Sequence, residues 1–119
     1  IQGLGKQLAR RAKSRCELCG KGGVSLEPSE VQPAPEEPDV DKTVLICAPC
    51  RQAVEQPAKA AGQHWRCLVD RLWDELPATQ VLALRLLEDL AEREHWAREA
   101  LDLFDPDPDL RAWADAAPR

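Results

Sequence analysis

Two Cys-x-x-Cys pairs, Cys16 with Cys19 in "RCELCG" and Cys47 with Cys50 in "LICAPCRQ", constrain this chain more than any other feature. Four thiols arranged as two pairs match the four soft ligands that a tetrahedral Zn²⁺ takes in a closed structural site. The 27 residues between the pairs exceed the usual zinc-ribbon spacing. They include the polar, proline-rich stretch "QPAPEEPDVD", which can protrude without disturbing the ligands. Gly20, Gly22 and Gly23 follow the first pair and permit the backbone angles of a tight knuckle. Pro49 and Cys50 stand at the expected start of a helix, whose positive end favours a thiolate. Two other chemistries use such pairs, a redox dithiol and an iron–sulfur centre. Four protein ligands leave no open coordination position, so a single Zn²⁺ held by them is structural and not catalytic.

Charge narrows the function classes. Over 119 residues the net charge is -5, but the first fifteen residues carry Lys6, Arg10, Arg11, Lys13 and Arg15 and no acid. Residues 16 to 41 then hold seven acids against Lys21 alone, and the C-terminal half is acidic too. A chain-wide nucleic-acid surface is excluded, and any polyanion contact is confined to the basic start. Four thiolates around Zn²⁺ carry a formal charge of about -2, which Lys13, Arg15 and Lys21 flank and partly compensate. No stretch of about eighteen apolar residues and no export signal is visible, so the expected setting is cytoplasmic, where thiols stay reduced, with no membrane contact. The chain opens on Ile1, as expected of a trimmed start or of a beginning that lies upstream.

Periodicity divides the chain near residue 57. Leu4, Leu8 and Ala12 predict a short basic helix ending near Ser14. "VSLEPSEVQP" predicts a short strand or hairpin broken at Pro28, "KTVLI" a second strand running into Cys47, and "RQAVEQ" a helix stopped by Pro57. Beyond it, Trp65, Leu68, Val69, Leu72, Trp73 and Leu76 recur at helical spacing, which predicts an amphipathic helix with its tryptophans as core anchors. Pro77 opens a further helix through "PATQVLALRLLEDLAERE" with Val81, Leu84, Leu87 and Ala91 inward. A third covers "EHWAREALDLF", and Asp107 before Pro108 caps a last short one. The expected fold is α+β and mainly α: a zinc module with short strands over 1–57, ribbon-like or treble-clef, packed against a helical unit over 58–119.

Knuckle, hairpin, strand and a second knuckle at a helix start follow one another in the order of a treble-clef zinc finger. HNH nucleases are similar in this order. That resemblance implies a pair of histidines in the first hairpin, where this chain has Ser29 and Glu30, and another residue of that kind where it has Arg51 or Gln52. Neither serine nor arginine replaces an imidazole that must accept a proton near pH 7, so nuclease chemistry is not expected.

"SRCELCG", "VLICAPC", "HWRCLVDRLWDELPATQVLALRLL" and "LRAWA" together resemble the N-terminal zinc-binding portion of PhnA-type proteins, named from alkylphosphonate utilisation operons. The resemblance implies a small bacterial zinc protein and carries over no catalytic residue. His64 and Cys67, three apart in "HWRC", are candidates for a second metal site or a thiol–base pair, against the plainer reading of a packed core thiol. The expected function is a non-catalytic zinc-binding module that engages a protein partner. Alternatives are nucleic-acid binding through Lys6, Arg10, Arg11, Lys13 and Arg15, or a hydrolase connected with phosphonates.

Overall fold

The structure, a computed structural model, describes residues 2–32, 37, 39–56 and 67–116. Among these, helix α1 spans Gln2–Ala12, strand β1 Leu26–Glu30 and strand β2 Thr43–Cys47. Helices α2 (Ala48–Glu55), α3 (Leu68–Arg71), α4 (Pro77–Leu90), α5 (His95–Leu103) and α6 (Pro108–Asp115) follow. The result is a small α+β fold, mainly helical, with one two-stranded antiparallel sheet and a cysteine cluster. No helix among the described residues is long and apolar enough to cross a membrane.

Each element ends for a local reason. α1 stops at Lys13 and Ser14, both in the left-handed region at φ 54° and 64°, an uncommon pair for residues with side chains. Between the strands, Asp39 caps a short 3₁₀ turn by accepting from the Asp41 N–H, and the Thr43 hydroxyl donates to the Asp39 carbonyl. The strands pair from Leu26 opposite Cys47 to Glu30 opposite Thr43, so β1 passes through Pro28 instead of breaking there. Pro28 faces Leu45, whose N–H and carbonyl both bond to Glu17, away from β1. That pair is therefore a non-hydrogen-bonded one, at which the missing proline N–H costs the ladder nothing.

α4 is the centre of the helical half. Nine of its fourteen residues are buried, Val81, Leu84 and Leu87 among them, giving a helix apolar around most of its circumference. It packs against α3, α5 and α6 and touches β2 and α2. It ends at Leu90, so Ala91 lies half-buried in the following turn and not on the helix. Asp107 caps α6 as its sequence implies, its carboxylate accepting from the Leu110 N–H at 2.9 Å with Pro108 in the first turn. One buried cluster runs from Cys16, Val44 and Ile46 through Leu68 and Leu72 to Leu87 and Ala114. The expected boundary at residues 57 and 58 lies outside the described residues, but the elements on either side of it share that core.

Two expectations for the third helical segment need correction. In the described residues it is helical only over Leu68–Arg71, and the chain turns from Leu72. Leu68 and Leu72 are fully buried, which anchors the segment. Trp73 is 62% exposed and is not a core anchor. The turn lifts it off the helical stripe, and it meets Phe104 edge-on with ring centroids 5.1 Å apart. Trp96 and Trp113 are half-buried and donate their indole N–H groups to Glu94 and the Gln32 carbonyl. Trp65 lies outside the described residues.

Candidate metal centre

Cys16, Cys19, Cys47 and Cys50 converge at the junction of the α1 exit, the strand pair and α2. Their four sulfurs lie within 4.8 Å of one another. Cys16 and Cys50 Sγ are 3.6 Å apart, and Cys19 and Cys47 Sγ 3.7 Å. Disulfide sulfurs sit about 2.05 Å apart, so these contacts are not bonds. A Zn–S distance of about 2.3 Å makes the edge of a regular sulfur tetrahedron about 3.8 Å, close to the spacings seen. The four residues present therefore fit one metal ion.

The first knuckle is a tight turn. The Cys16 N–H donates to the Lys21 carbonyl and the Gly20 N–H returns to the Cys16 carbonyl at 2.9 Å. Gly20 adopts φ 82° there, which favours glycine, and a Cβ would sit 3.0 Å from the Arg71 guanidinium. Gly23 is also left-handed. Gly22 is not, and instead bridges to Arg15. The second knuckle joins β2 directly to α2: Cys47 closes the strand and stands at the N-cap, which puts Cys50 in the first turn at the positive helix end. Cys16 Sγ accepts from the backbone N–H groups of Cys19 and Cys47, each at 3.4 Å.

Two arginines and a glutamate hold this cluster in place. Glu17, between the ligands of the first pair, behaves like a third strand: its N–H donates to the Leu45 carbonyl and its carboxylate accepts from the Leu45 N–H. Arg11 grips the same carboxylate with two bonds of 2.7 and 2.8 Å and also donates to the carbonyls of Val40 and Thr43. From the helical half, Arg71 donates to the Leu18 carbonyl at 2.9 Å, tying α3 to the first knuckle. Neither Glu17 nor Arg71 stands out in the sequence. An acid inside a Cys-x-x-Cys pair is the available signal for Glu17, and the two apolar stripes around Arg71 mask its role.

Without a cation, four clustered thiols cannot all ionise. Cys16 is pulled down to about 4 by its contact with the Cys50 thiol, against the effect of burial, and the Cys19 and Cys47 N–H groups assist. The neighbouring Cys16 sulfur in turn pushes Cys50 up strongly, with burial adding to it. Burial raises Cys19 to about 11. A divalent ion inverts this by stabilising every thiolate at once.

The remaining candidates divide. Lys6, Arg10, Lys13 and Arg15 are exposed and pair with no acid among the described residues. Arg11 is committed to Glu17 and two carbonyls. Cys67 is half-buried at the start of α3, where burial raises its pKa, and His64 lies outside the described residues. Ser29 and Glu30 lie on β1, while Arg51 forms ion pairs with Glu27 and Glu55 on the surface of α2. A cleft of about 510 Å³ beside Cys16 is lined by charges of both signs, Arg15 and Arg71 against Asp74 and Glu75.

Comparison with known proteins leaves the chain on its own geometry: no family model, no curated protein and no solved structure matches it.

Proposed function

We propose that this protein is a zinc-stabilised, non-catalytic binding module of the PhnA type that acts in the cytoplasm. The observation that carries the reading is the cluster of Cys16, Cys19, Cys47 and Cys50 sulfurs, all within 4.8 Å of one another and with two pairs at 3.6 and 3.7 Å, near the edge expected around one zinc ion. Polynuclear iron–sulfur clusters attach their thiolates to separate irons and need them spread wider, so sulfurs this close favour a mononuclear ion. A dithiol redox site exposes one low-pKa thiol to its substrate. Here Cys16, Cys47 and Cys50 are all buried, at 2%, 2% and 0% exposure.

The zinc ion would neutralise the mutual repulsion of the four thiolates and lock α1, the strand pair and α2 together. Metal binding supplies much of the folding free energy of so small a unit. Cobalt(II) substitution tests the site. Visible ligand-field bands of a tetrahedral tetrathiolate complex support it, and a spectrum without thiolate charge transfer removes it.

A second reading, polyanion binding through α1, is favoured by one observation: Lys6, Arg10, Lys13 and Arg15 are exposed and unneutralised by acids among the described residues. Arg11 has no place in that surface, since its guanidinium faces Glu17. Binding of this kind weakens steeply with salt. Titration of a single-stranded oligonucleotide at low and moderate salt decides it, with no binding at low salt ending the reading. A hydrolase linked to phosphonates has less behind it, because the ligand set leaves no open metal position.

A further inference from the structure

Trp73 is an apolar surplus that the fold does not use. A tryptophan brings one of the largest apolar surfaces of any side chain, yet this one is 62% exposed, and Leu103 at the end of α5 is 80% exposed. Phe104, the next residue, holds the Trp73 ring edge-on at 5.1 Å, so the tryptophan is positioned without being covered. Its indole N–H also lacks a partner among the described residues, whereas Trp96 and Trp113 both donate theirs. A held, half-naked tryptophan with a spare donor is the kind of residue that dominates protein interfaces.

The surroundings set the charge of whatever covers it. Asp70, Asp74 and Glu75 flank Trp73 along the chain, and Asp102 and Asp105 flank Leu103 and Phe104. None of these five acids forms an ion pair among the described residues, although Asp74 and Glu75 also line the cleft that holds Arg15 and Arg71. The nearest base in sequence, Arg71, points its Nε at the Leu18 carbonyl. Exposed apolar side chains with acids beside them along the chain disfavour nucleic acid and anionic membranes and complement a basic, apolar peptide.

We infer that the Trp73–Phe104–Leu103 surface docks a basic amphipathic segment of a partner protein, its apolar side chains on Trp73 and its cations on the neighbouring acids. This deepens the binding-module reading and rests on it. A second copy of the chain is a poorer occupant. Its α1 offers exposed cations, but Leu8 and Ala12 of that helix are buried in their own fold and supply no anchor.

The probe is a synthetic peptide of residues 1–15, which carries five cations and, free of the fold, exposes Leu4, Leu8 and Ala12 as an apolar stripe. It is titrated into the zinc-loaded full chain while the Trp73 indole resonance is followed by NMR. Saturable binding is expected, weakened at least tenfold by Trp73→Ala or by Leu103→Ser. Asp74→Asn with Asp102→Asn and Asp105→Asn should weaken it and flatten its salt dependence, with zinc content and melting temperature retained. A wild-type chain that ignores the peptide, or variants that bind it equally well, would overturn the proposal. So would concentration-dependent dimerisation abolished by Trp73→Ala, which assigns the surface to self-association. Zinc content measured in the same samples keeps the two readings apart: zinc-loaded protein that ignores the probe removes this surface alone, and protein without zinc removes the metal reading whatever the probe does.

Discussion

Arg11→Ala should destabilise the fold without touching a metal ligand. Arg11 supplies two bonds to the Glu17 carboxylate and one each to the carbonyls of Val40 and Thr43, and the Glu17 side chain is only 9% exposed. Removing the arginine leaves that carboxylate without its counter-charge at the point where it holds Leu45 of β2. Breaking one side of a fully buried pair costs about 3–5 kcal/mol. The Arg11 side chain is 26% exposed, so water reaches the vacated space. We therefore expect about 2–3 kcal/mol, equivalent to a fall in Tm of roughly 8–12 °C for a chain of this size. Arg11→Lys keeps the charge but not the planar fork and should lose about half as much. Thermal melts followed by far-UV circular dichroism on zinc-loaded, reduced protein give these values, and a double-mutant cycle with Glu17→Met should show a coupling of about 1.5–3 kcal/mol. A Tm within about 2 °C of wild type for Arg11→Ala, or no coupling, would refute the claim that this pair braces the metal centre.

Trp73→Ala, by contrast, should cost less than about 1.5 kcal/mol, the worth of its edge contact with Phe104, whereas Leu87→Ala in the fully buried stripe of α4 should cost about 2–5 kcal/mol; equal losses in chemical denaturation would return Trp73 to the core. Asp107→Ala removes the cap on the Leu110 N–H and should cost about 1 kcal/mol, and a neutral result would show the Pro108 turn to be sufficient alone. Metal loading should release the protons of Cys19 and Cys50, both held above their ordinary range in the metal-free centre, so apparent affinity falls as pH drops. Calorimetry in buffers of different ionisation enthalpy reads those protons directly, and a buffer-independent enthalpy at neutral pH would contradict it.

The cysteine cluster was legible because its signal is local in chemistry even though it is distant in sequence: two thiol pairs need only a turn and a helix start to close. Asp107 and Pro108, and the Val81, Leu84 and Leu87 stripe, were legible for similar reasons, since cap and period act within one or two turns. Pro28 was not. Whether proline breaks a strand depends on which way the partner residue points, and Leu45 points at Glu17, a contact that sequence spacing does not encode. Trp73 misled because helical periodicity assigns a face only while the helix lasts, and this one turns at Leu72. Arg11 read as one cation among five, although its partner Glu17 lies six residues away across a left-handed turn that no glycine announces.

Elemental analysis of protein purified without added metal, under reducing conditions, tests the central claim most directly. One zinc per chain is expected, lost together with the folded state of the first module when Cys47 is replaced by Ser. Protein that is fully folded yet metal-free, or that carries iron with visible absorbance, would contradict the assignment of a structural zinc to Cys16, Cys19, Cys47 and Cys50.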